Sequence, residues 1–205
     1  RHSPDRAIVA HLDTLGAMVK QAKPNGRLEL VPIGHWSARF AEGARVTVHA
    51  DDGRHFRGTI LPLKASGHTW GDEIDAQPAG WAHVELRLDE RCHGVDDLVR
   101  LGVNVGDTVS IDAQPEFCDN GFVNARHLDD KAGVAALLAV ARACRESGAP
   151  LPVDCHLLFT ISEEIGVGAA HILHGDVAEL VSIDNGTIAP GQNTCEYGVT
   201  VAMQD

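Results

Sequence analysis

Two adjacent carboxylates, Glu163 and Glu164, follow directly on an apolar run at residues 156–162. The run is rich in β-branched and aromatic residues and is typical of a buried strand, so the two acids stand at its tip. Two charges at such a position are unfavourable unless something positive meets them. We therefore expect metal ions beside this pair.

Three other residues of the ligand type stand at the ends of strand-like runs, namely His11, Asp129 and Asp184. Ligands of open α/β sheets bind at the carboxyl ends of the strands, so we expect these side chains to converge. Carboxylates crowded there raise one another's pKa unless cations neutralise them. One histidine with several carboxylates suits Zn²⁺, Mn²⁺ or Co²⁺. The residues together predict a metal centre.

Each of these residues also has a purely structural interpretation. Asp129 and Asp130 precede a helical pattern, where aspartates commonly cap helices. Asp184 begins an Asp-Asn-Gly turn signal, and Glu163 could form an ion pair with Lys131. Taken singly, these alternatives are as good as the metal interpretation. Their occurrence together in one chain favours the metal centre.

His11 and Asp13 form a His-x-Asp pair at the end of the first strand-like run. Residues i and i+2 of a strand share a face, so Asp13 is placed to hold the second ring nitrogen of a metal-binding His11. A surface histidine near a turn is the alternative that this spacing leaves open.

The elements that must position these residues form an α/β pattern, interrupted by a β-rich segment. Strand, helix and strand alternate over residues 119–205, with a helix at Lys131–Arg145 and a last strand at Tyr197–Met203, which is typical of a parallel sheet. Short alternating runs over residues 21–118 are typical of a small barrel or sandwich. We predict an α/β fold with a parallel or mixed sheet in residues 1–20 and 119–205, and an inserted β-rich domain between them.

The composition argues against several partners and locations. The formal net charge is −12, whereas nucleic acid and anionic membrane surfaces require a basic face. The apolar runs are far shorter than the roughly 20 residues that span a bilayer. Five cysteines, an odd number without a Cys-x-x-Cys pair, favour a reducing compartment, so we predict a cytoplasmic protein.

Four motifs resemble the M42 family of dinuclear-metal aminopeptidases, which includes glutamyl aminopeptidases and proteins labelled as endoglucanases. The motifs are His11-Leu-Asp-Thr-Leu-Gly16, Leu128-Asp-Asp-Lys-Ala-Gly133, Glu163-Glu-Ile-Gly166 and Asp184. The similarity covers essentially the whole chain. It implies a zinc-exopeptidase (phosphorylase/hydrolase-like) fold interrupted by a small β-barrel used in oligomer assembly. It also implies homo-oligomers, from dimers to a dodecamer.

The resemblance implies roles for individual residues. The implied ligands of two divalent metal ions, zinc or else cobalt or manganese, are His11, Asp129, Glu164 and Asp184. Asp129 would bridge the metals and Glu163 would be the general base, with Asp13 as a second catalytic residue that supports His11. A cis peptide bond is implied between Asp129 and Asp130.

The chain departs from the family pattern at two points. Lys131 stands where many relatives carry arginine. A final histidine ligand is implied well C-terminal to Asp184, but the last histidine of this sequence is His174. We therefore expect these 205 residues to be a fragment without its N- and C-terminal parts, and to be inactive alone.

The predicted function is metal-dependent hydrolysis of the N-terminal amide bond of a peptide or a small dipeptide-like amide. Residues 58–68 resemble a subgroup associated with an osmoprotectant dipeptide, N-acetylglutaminylglutamine amide, and a dedicated amidohydrolase is one alternative. A non-catalytic scaffold with an incomplete metal site is another. Glycoside hydrolysis is excluded, because its two carboxyls flank a sugar at about 5–9.5 Å, whereas Glu163 and Glu164 are neighbours in sequence.

Overall fold

The structure is a computed structural model and describes residues 4–202. The strands are β1 (Asp5–His11), β2 (Gly16–Ala22), β3 (Leu28–Ile33), β4 (Arg45–His49), β5 (His55–Pro62), β6 (Val84–Leu88), β7 (Thr108–Ile111), β8 (Glu116–Phe117), β9 (Val123–Asn124), β10 (Cys155–Thr160) and β11 (Val177–Ser182). The helices are α1 (Gly67–Trp70), α2 (Val95–Leu101) and α3 (Leu128–Ser147). Residues 1–3 and 203–205 of the predicted α/β domain lie outside the described residues. None of the described helices is long and apolar enough to cross a membrane.

The chain divides into two compact units, one formed by the described residues up to Asp13 and from His127 onward, the other by Thr14–Arg126. The sequence predicts the boundaries at 20/21 and 118/119 instead. The difference arises because β2 pairs with β3 and β7, and β9 pairs with β8, which keeps all of these strands in the second unit.

The first unit contains a three-stranded sheet in the order β10-β1-β11, with both pairings parallel. Residue 11 lies opposite residue 160 in the register, so β1 and β10 end at the same edge of the sheet. Helix α3 packs on β1 through Ala10, Val134 and Leu137, all of them buried. The α/β fold with a parallel sheet, predicted from the alternation of elements, is confirmed.

Helix α3 begins irregularly and is longer than predicted. Backbone angles at Asp129 (φ −78°, ψ 108°) and Asp130 (φ −115°, ψ 37°) are not helical, and the peptide bond between them is cis. The helix ends at Gly148, whose φ of 63° is the left-handed conformation that glycine adopts readily.

The strand predicted at Tyr197–Met203 does not form over residues 197–202, and Met203 lies outside the described residues. Val199 and Val201 are 97% and 79% exposed. An alternating apolar pattern forms a strand only where a neighbouring strand supplies hydrogen bonds and a buried face, and these residues pair with none of the described strands.

The second unit is a closed barrel in the order β2-β3-β6-β5-β4-β7, with every pairing antiparallel. Its interior is filled by fully buried aliphatic side chains, among them Val46, Ile60 and Leu86. Leu98 of α2 is also fully buried in this core. The β-rich insertion is therefore a barrel, as the family resemblance implies.

Candidate metal centre

His11 is the last residue of β1 and is buried, being only 2% exposed. Its Nε2 lies 2.9 Å from Oδ1 of Asp129. The same nitrogen is 3.8 Å from Oε2 of Glu163 and 3.9 Å from Oδ2 of Asp184. The imidazole therefore faces three carboxylates. They come from the start of α3, from the turn after β10 and from the segment after β11.

Three of the four predicted ligands, His11, Asp129 and Asp184, have ligand atoms within 4.8 Å of one another. Two ligand atoms at about 2.1 Å from one Zn²⁺ are roughly 3.4 Å apart in a tetrahedral site. The difference between 4.8 Å and roughly 3.4 Å is small. Side-chain movements of about an ångström would therefore place all three ligand atoms on one ion.

Both ring nitrogens of His11 face oxygen atoms. Nδ1 is 3.0 Å from the backbone oxygen of Asp13, while Nε2 faces Asp129. A neutral imidazole carries only one N–H. Both contacts are satisfied together by a doubly protonated ring, or by a cation between Nε2 and the carboxylate of Asp129.

Asp13 supports the site differently from the prediction. Its backbone oxygen accepts from His11, whereas its carboxylate Oδ1 is 3.5 Å from Nδ1 and has no hydrogen-bond partner among the described residues. The other carboxylate oxygen, Oδ2, accepts a 3.0 Å bond from the backbone N–H of Glu164. Asp13 thereby ties the segment after β10 to the end of β1, a contact that residue spacing does not reveal.

Glu163 and Glu164 lie in a 3₁₀ turn, Glu163–Ile165, that follows β10. The turn is closed by Gly166, whose N–H donates to the backbone oxygen of Glu163 at 2.7 Å and whose φ is 79°. Oε1 of Glu164 is buried and has no hydrogen-bond partner among the described residues. A carboxylate oxygen in that state fits a cation, because an unpaired buried acid is otherwise costly.

Asp184 is positioned by the continuation of β11. The backbone N–H of Ile183 donates to Val9 in β1 at 2.8 Å, which holds the segment against the sheet. Oδ1 of Asp184 accepts from the backbone N–H of Asn185 at 2.7 Å. Its second oxygen, Oδ2, is left to face His11.

Two residues of the Leu-Asp-Asp-Lys motif have contacts that the sequence analysis missed. Asp130 is buried, and its carboxylate accepts from the backbone N–H groups of His11 and Gly133, both at 3.1 Å. Nζ of Lys131 donates to the backbone oxygen of Leu12 at 2.6 Å. The suggested pair of Lys131 with Glu163 is thus replaced by a bond to the end of β1. A second aspartate directly after a predicted ligand was the available signal.

The electrostatics of the site show an excess of negative charge. Burial and then the charges of neighbouring acids raise the pKa of the carboxyls of Glu163, Glu164 and Asp184. Burial alone would lower the pKa of His11, but the hydrogen bond with Asp129 and the charges of Asp184 and Asp129 outweigh it and raise the pKa. Divalent cations would relieve both effects.

Comparison with known proteins matches this chain to a family of aminopeptidases. The profile of a family described as M42 glutamyl aminopeptidase matches residues 1–205. A relative from Bacillus subtilis (strain 168), named "Putative aminopeptidase YhfE", is 38% identical over 203 residues, which cover 99% of this chain and 58% of the relative.

Two solved structures share the fold. A TET aminopeptidase from a marine sediment archaeon of the Thaumarchaeota has a TM-score of 0.79 at 20% identity, with 94% of this chain and 54% of that chain covered. The TET1 peptidase of Pyrococcus horikoshii, described as able to assemble into a tetrahedron or a large octahedral shell, has a TM-score of 0.74 at 21% identity. That match covers 90% of this chain and 53% of the other. The chain spans a little over half the length of these proteins.

Proposed function

Because the chain belongs to the M42 glutamyl aminopeptidase family, we propose that the protein is a metal-dependent hydrolase that removes the N-terminal residue of peptides. The proposal concerns the protein at its full natural length. The observation that carries it is the convergence of three side chains, His11 at the end of β1, Asp129 at the start of α3 and Asp184 just after β11.

The residues that would hold two divalent metal ions are His11, Asp129, Glu164 and Asp184. Their donor set, one imidazole and three carboxylates, suits zinc, cobalt or manganese. When bound, such ions polarise the scissile carbonyl and make water acidic enough to be deprotonated near neutral pH. The buried Oε1 of Glu164, without a partner among the described residues, supports its role as a ligand.

Glu163 is the residue we assign to proton transfer. Its side chain is 50% exposed and its Oε2 is 3.8 Å from Nε2 of His11, so it can reach both solvent and the metal ligands. A carboxylate with a raised pKa is a better base near neutral pH. Glu163 would take a proton from the attacking water at a carboxylate oxygen and donate it to the leaving amine nitrogen.

Location and assembly are also proposals. All five cysteines are free, which supports the cytoplasm, where thiols stay reduced. The TET1 peptidase of Pyrococcus horikoshii is described as able to assemble into a tetrahedron or a large octahedral shell. We propose that this protein is likewise a homo-oligomer.

The test is an assay of the protein at its full natural length on aminoacyl amides with a free amino group, in zinc, cobalt or manganese buffer. We expect hydrolysis that is lost on chelation and restored by one of these metals. His11→Ala should abolish both the activity and one metal equivalent. His68→Ala, at an exposed histidine of α1, is the matched control and should change neither.

Three results would contradict the proposal in different ways. Activity that persists in a chelator would rule out a metal-dependent mechanism. Hydrolysis confined to N-acetylglutaminylglutamine amide would favour the dedicated amidohydrolase. A protein that binds none of these metals and hydrolyses no amide would favour the non-catalytic scaffold.

A further inference from the structure

A second group of metal-ligand residues lies at the opposite edge of the three-stranded sheet. Asp5 begins β1, His156 is the second residue of β10, and His174 shortly precedes β11. One ligand atom from each lies within 4.8 Å of the others. Asp5 is 1% exposed, His156 is half-buried and His174 is exposed.

The contacts within this group are well defined. Nε2 of His156 is 2.8 Å from Oδ2 of Asp5. The rings of His156 and His174 pack edge to face, with centroids 4.8 Å apart and an interplanar angle of 87°. Two backbone bonds hold the segment before β11 in place, Asp5 N–H to Asp176 at 3.0 Å and Val177 N–H to His174 at 3.1 Å.

We propose that Asp5, His156 and His174 form a zinc-binding site that is separate from the candidate metal centre. Two imidazole nitrogens and one carboxylate oxygen are a ligand set that zinc takes in proteins. The two atoms of Asp5 and His156 are 2.8 Å apart and the three ligand atoms all lie within 4.8 Å of one another, whereas the ligands of a tetrahedral ion are roughly 3.4 Å apart. The exposed ring of His174 provides a route of entry, and a fourth position remains for water.

The chemistry of each residue supports this site. Asp5 is 1% exposed and its Oδ2 lies 2.8 Å from Nε2 of His156, so a cation held there would meet a carboxylate and an imidazole that the fold has already brought together. The three residues come from three segments of one unit. The bound ion would therefore join β1, β10 and the approach to β11.

The two sites are independent of each other. Asp5 and His11 stand at opposite ends of β1, and strand geometry separates them by about 20 Å. The expected role is stabilisation of the sheet, because a metal that binds only the folded state raises its stability by mass action. This inference does not depend on the proposed catalytic function.

A hydrogen bond between Asp5 and His156, with His174 packed beside it, is the alternative without a metal.

The test uses the full-length protein with His11→Ala and Asp129→Asn, which remove ligands of the candidate metal centre. Zinc alone is the probe, titrated by calorimetry. X-ray absorption of the loaded protein counts the imidazole ligands.

We expect His174→Ala, added to that double variant, to weaken the binding of one zinc equivalent by more than about 100-fold, the upper range for losing a residue that merely supports a ligand. The absorption spectrum should lose imidazole scattering, and zinc should cease to raise the melting temperature. His68→Ala in the same background is the control and should leave the titration unchanged. His156→Ala serves as a second variant, with far-UV circular dichroism to confirm that each protein is folded.

The site is supported if His174→Ala removes the binding of one zinc equivalent while the protein stays folded. Equal zinc binding with and without His174→Ala, whether both proteins bind or neither does, overturns it. Loss of peptidase activity in the His11→Ala and Asp129→Asn background concerns the proposed function alone.

Discussion

The backbone N–H of His11 donates to Oδ2 of Asp130 at 3.1 Å, and so the last residue of β1 is fastened to the start of α3. The second oxygen of the same carboxylate accepts from Gly133 at 3.1 Å. Asp130 thus fixes the distance between the strand that carries His11 and the turn that carries Asp129. The ligand geometry depends on a neighbour that we do not assign as a ligand.

Gly133→Ala should disturb this junction. A Cβ at position 133 would lie 2.3 Å from Oδ1 and 2.7 Å from Oδ2 of Asp130. The carboxylate is held by two backbone N–H groups and cannot move aside without losing one. We expect a loss of about 1–3 kcal/mol in the free energy of unfolding, despite a gain of up to about 1 kcal/mol in helix propensity. Urea denaturation measures the difference.

Gly67→Ala is the control for this substitution, since Gly67 begins α1 and an added Cβ there meets nothing within 4 Å. It should leave stability unchanged or slightly raised. If Gly133→Ala behaved in the same way, the junction through Asp130 would not be rigid.

Glu163→Gln should separate proton transfer from metal binding. Loss of a general base typically lowers kcat by about 10²–10⁴-fold. Metal content should stay at the wild-type value, because the ligands we assign are other residues. Glu179→Gln, at an exposed carboxylate paired with Arg6, is the matched control. A Glu163→Gln enzyme with normal kcat, or with half its metal, would show that the role is assigned wrongly.

Glu85 in the barrel gives a prediction for the dependence of stability on pH. Burial opposes its ionisation, but hydrogen bonds from Lys23 and Asn25 and the charges of Lys23 and Arg27 lower its pKa below the ordinary 4.5. A carboxyl with a lowered pKa stabilises the fold above its unfolded pKa. That contribution disappears as the pH falls through the folded value.

Glu85→Gln should therefore cost about 1–3 kcal/mol of unfolding free energy at pH 7. The difference from wild type should shrink as the pH falls below 4.5, the ordinary value. Urea denaturation at pH 7 and at a pH below 4.5 measures this difference in unfolding free energy. Glu90→Gln, at an exposed residue, is the control. A difference that is constant with pH would mean that the ion pairs around Glu85 contribute nothing.

The sequence predicts the elements of the site better than their connections. His11 and Asp184 could be placed at strand ends because apolar runs and the parallel-sheet rule locate them directly. The hydrogen bond from Glu164 to Asp13 could not be predicted, since it joins residues that only the folded sheet brings together.

The barrel shows a similar limit. Alternating runs indicate short strands, but the pairing of β2 with β7 follows from closure of the whole sheet rather than from local pattern. Residues 197–202 have the same alternation without a strand to pair with. The barrel also holds Gly16 and Ala17 of β2, because their partners lie in β3 and β7.

The pairing of Arg6 with Cys155 has a consequence for synthesis of the chain. The whole barrel is encoded between these residues, so β1 leaves the ribosome about 150 residues before its parallel neighbour, an interval of roughly 7–30 s at ordinary rates of translation. The barrel can complete its antiparallel pairings in that time. Until β10 and β11 have been synthesised, the apolar β1 lacks both of its parallel neighbours and must avoid aggregation.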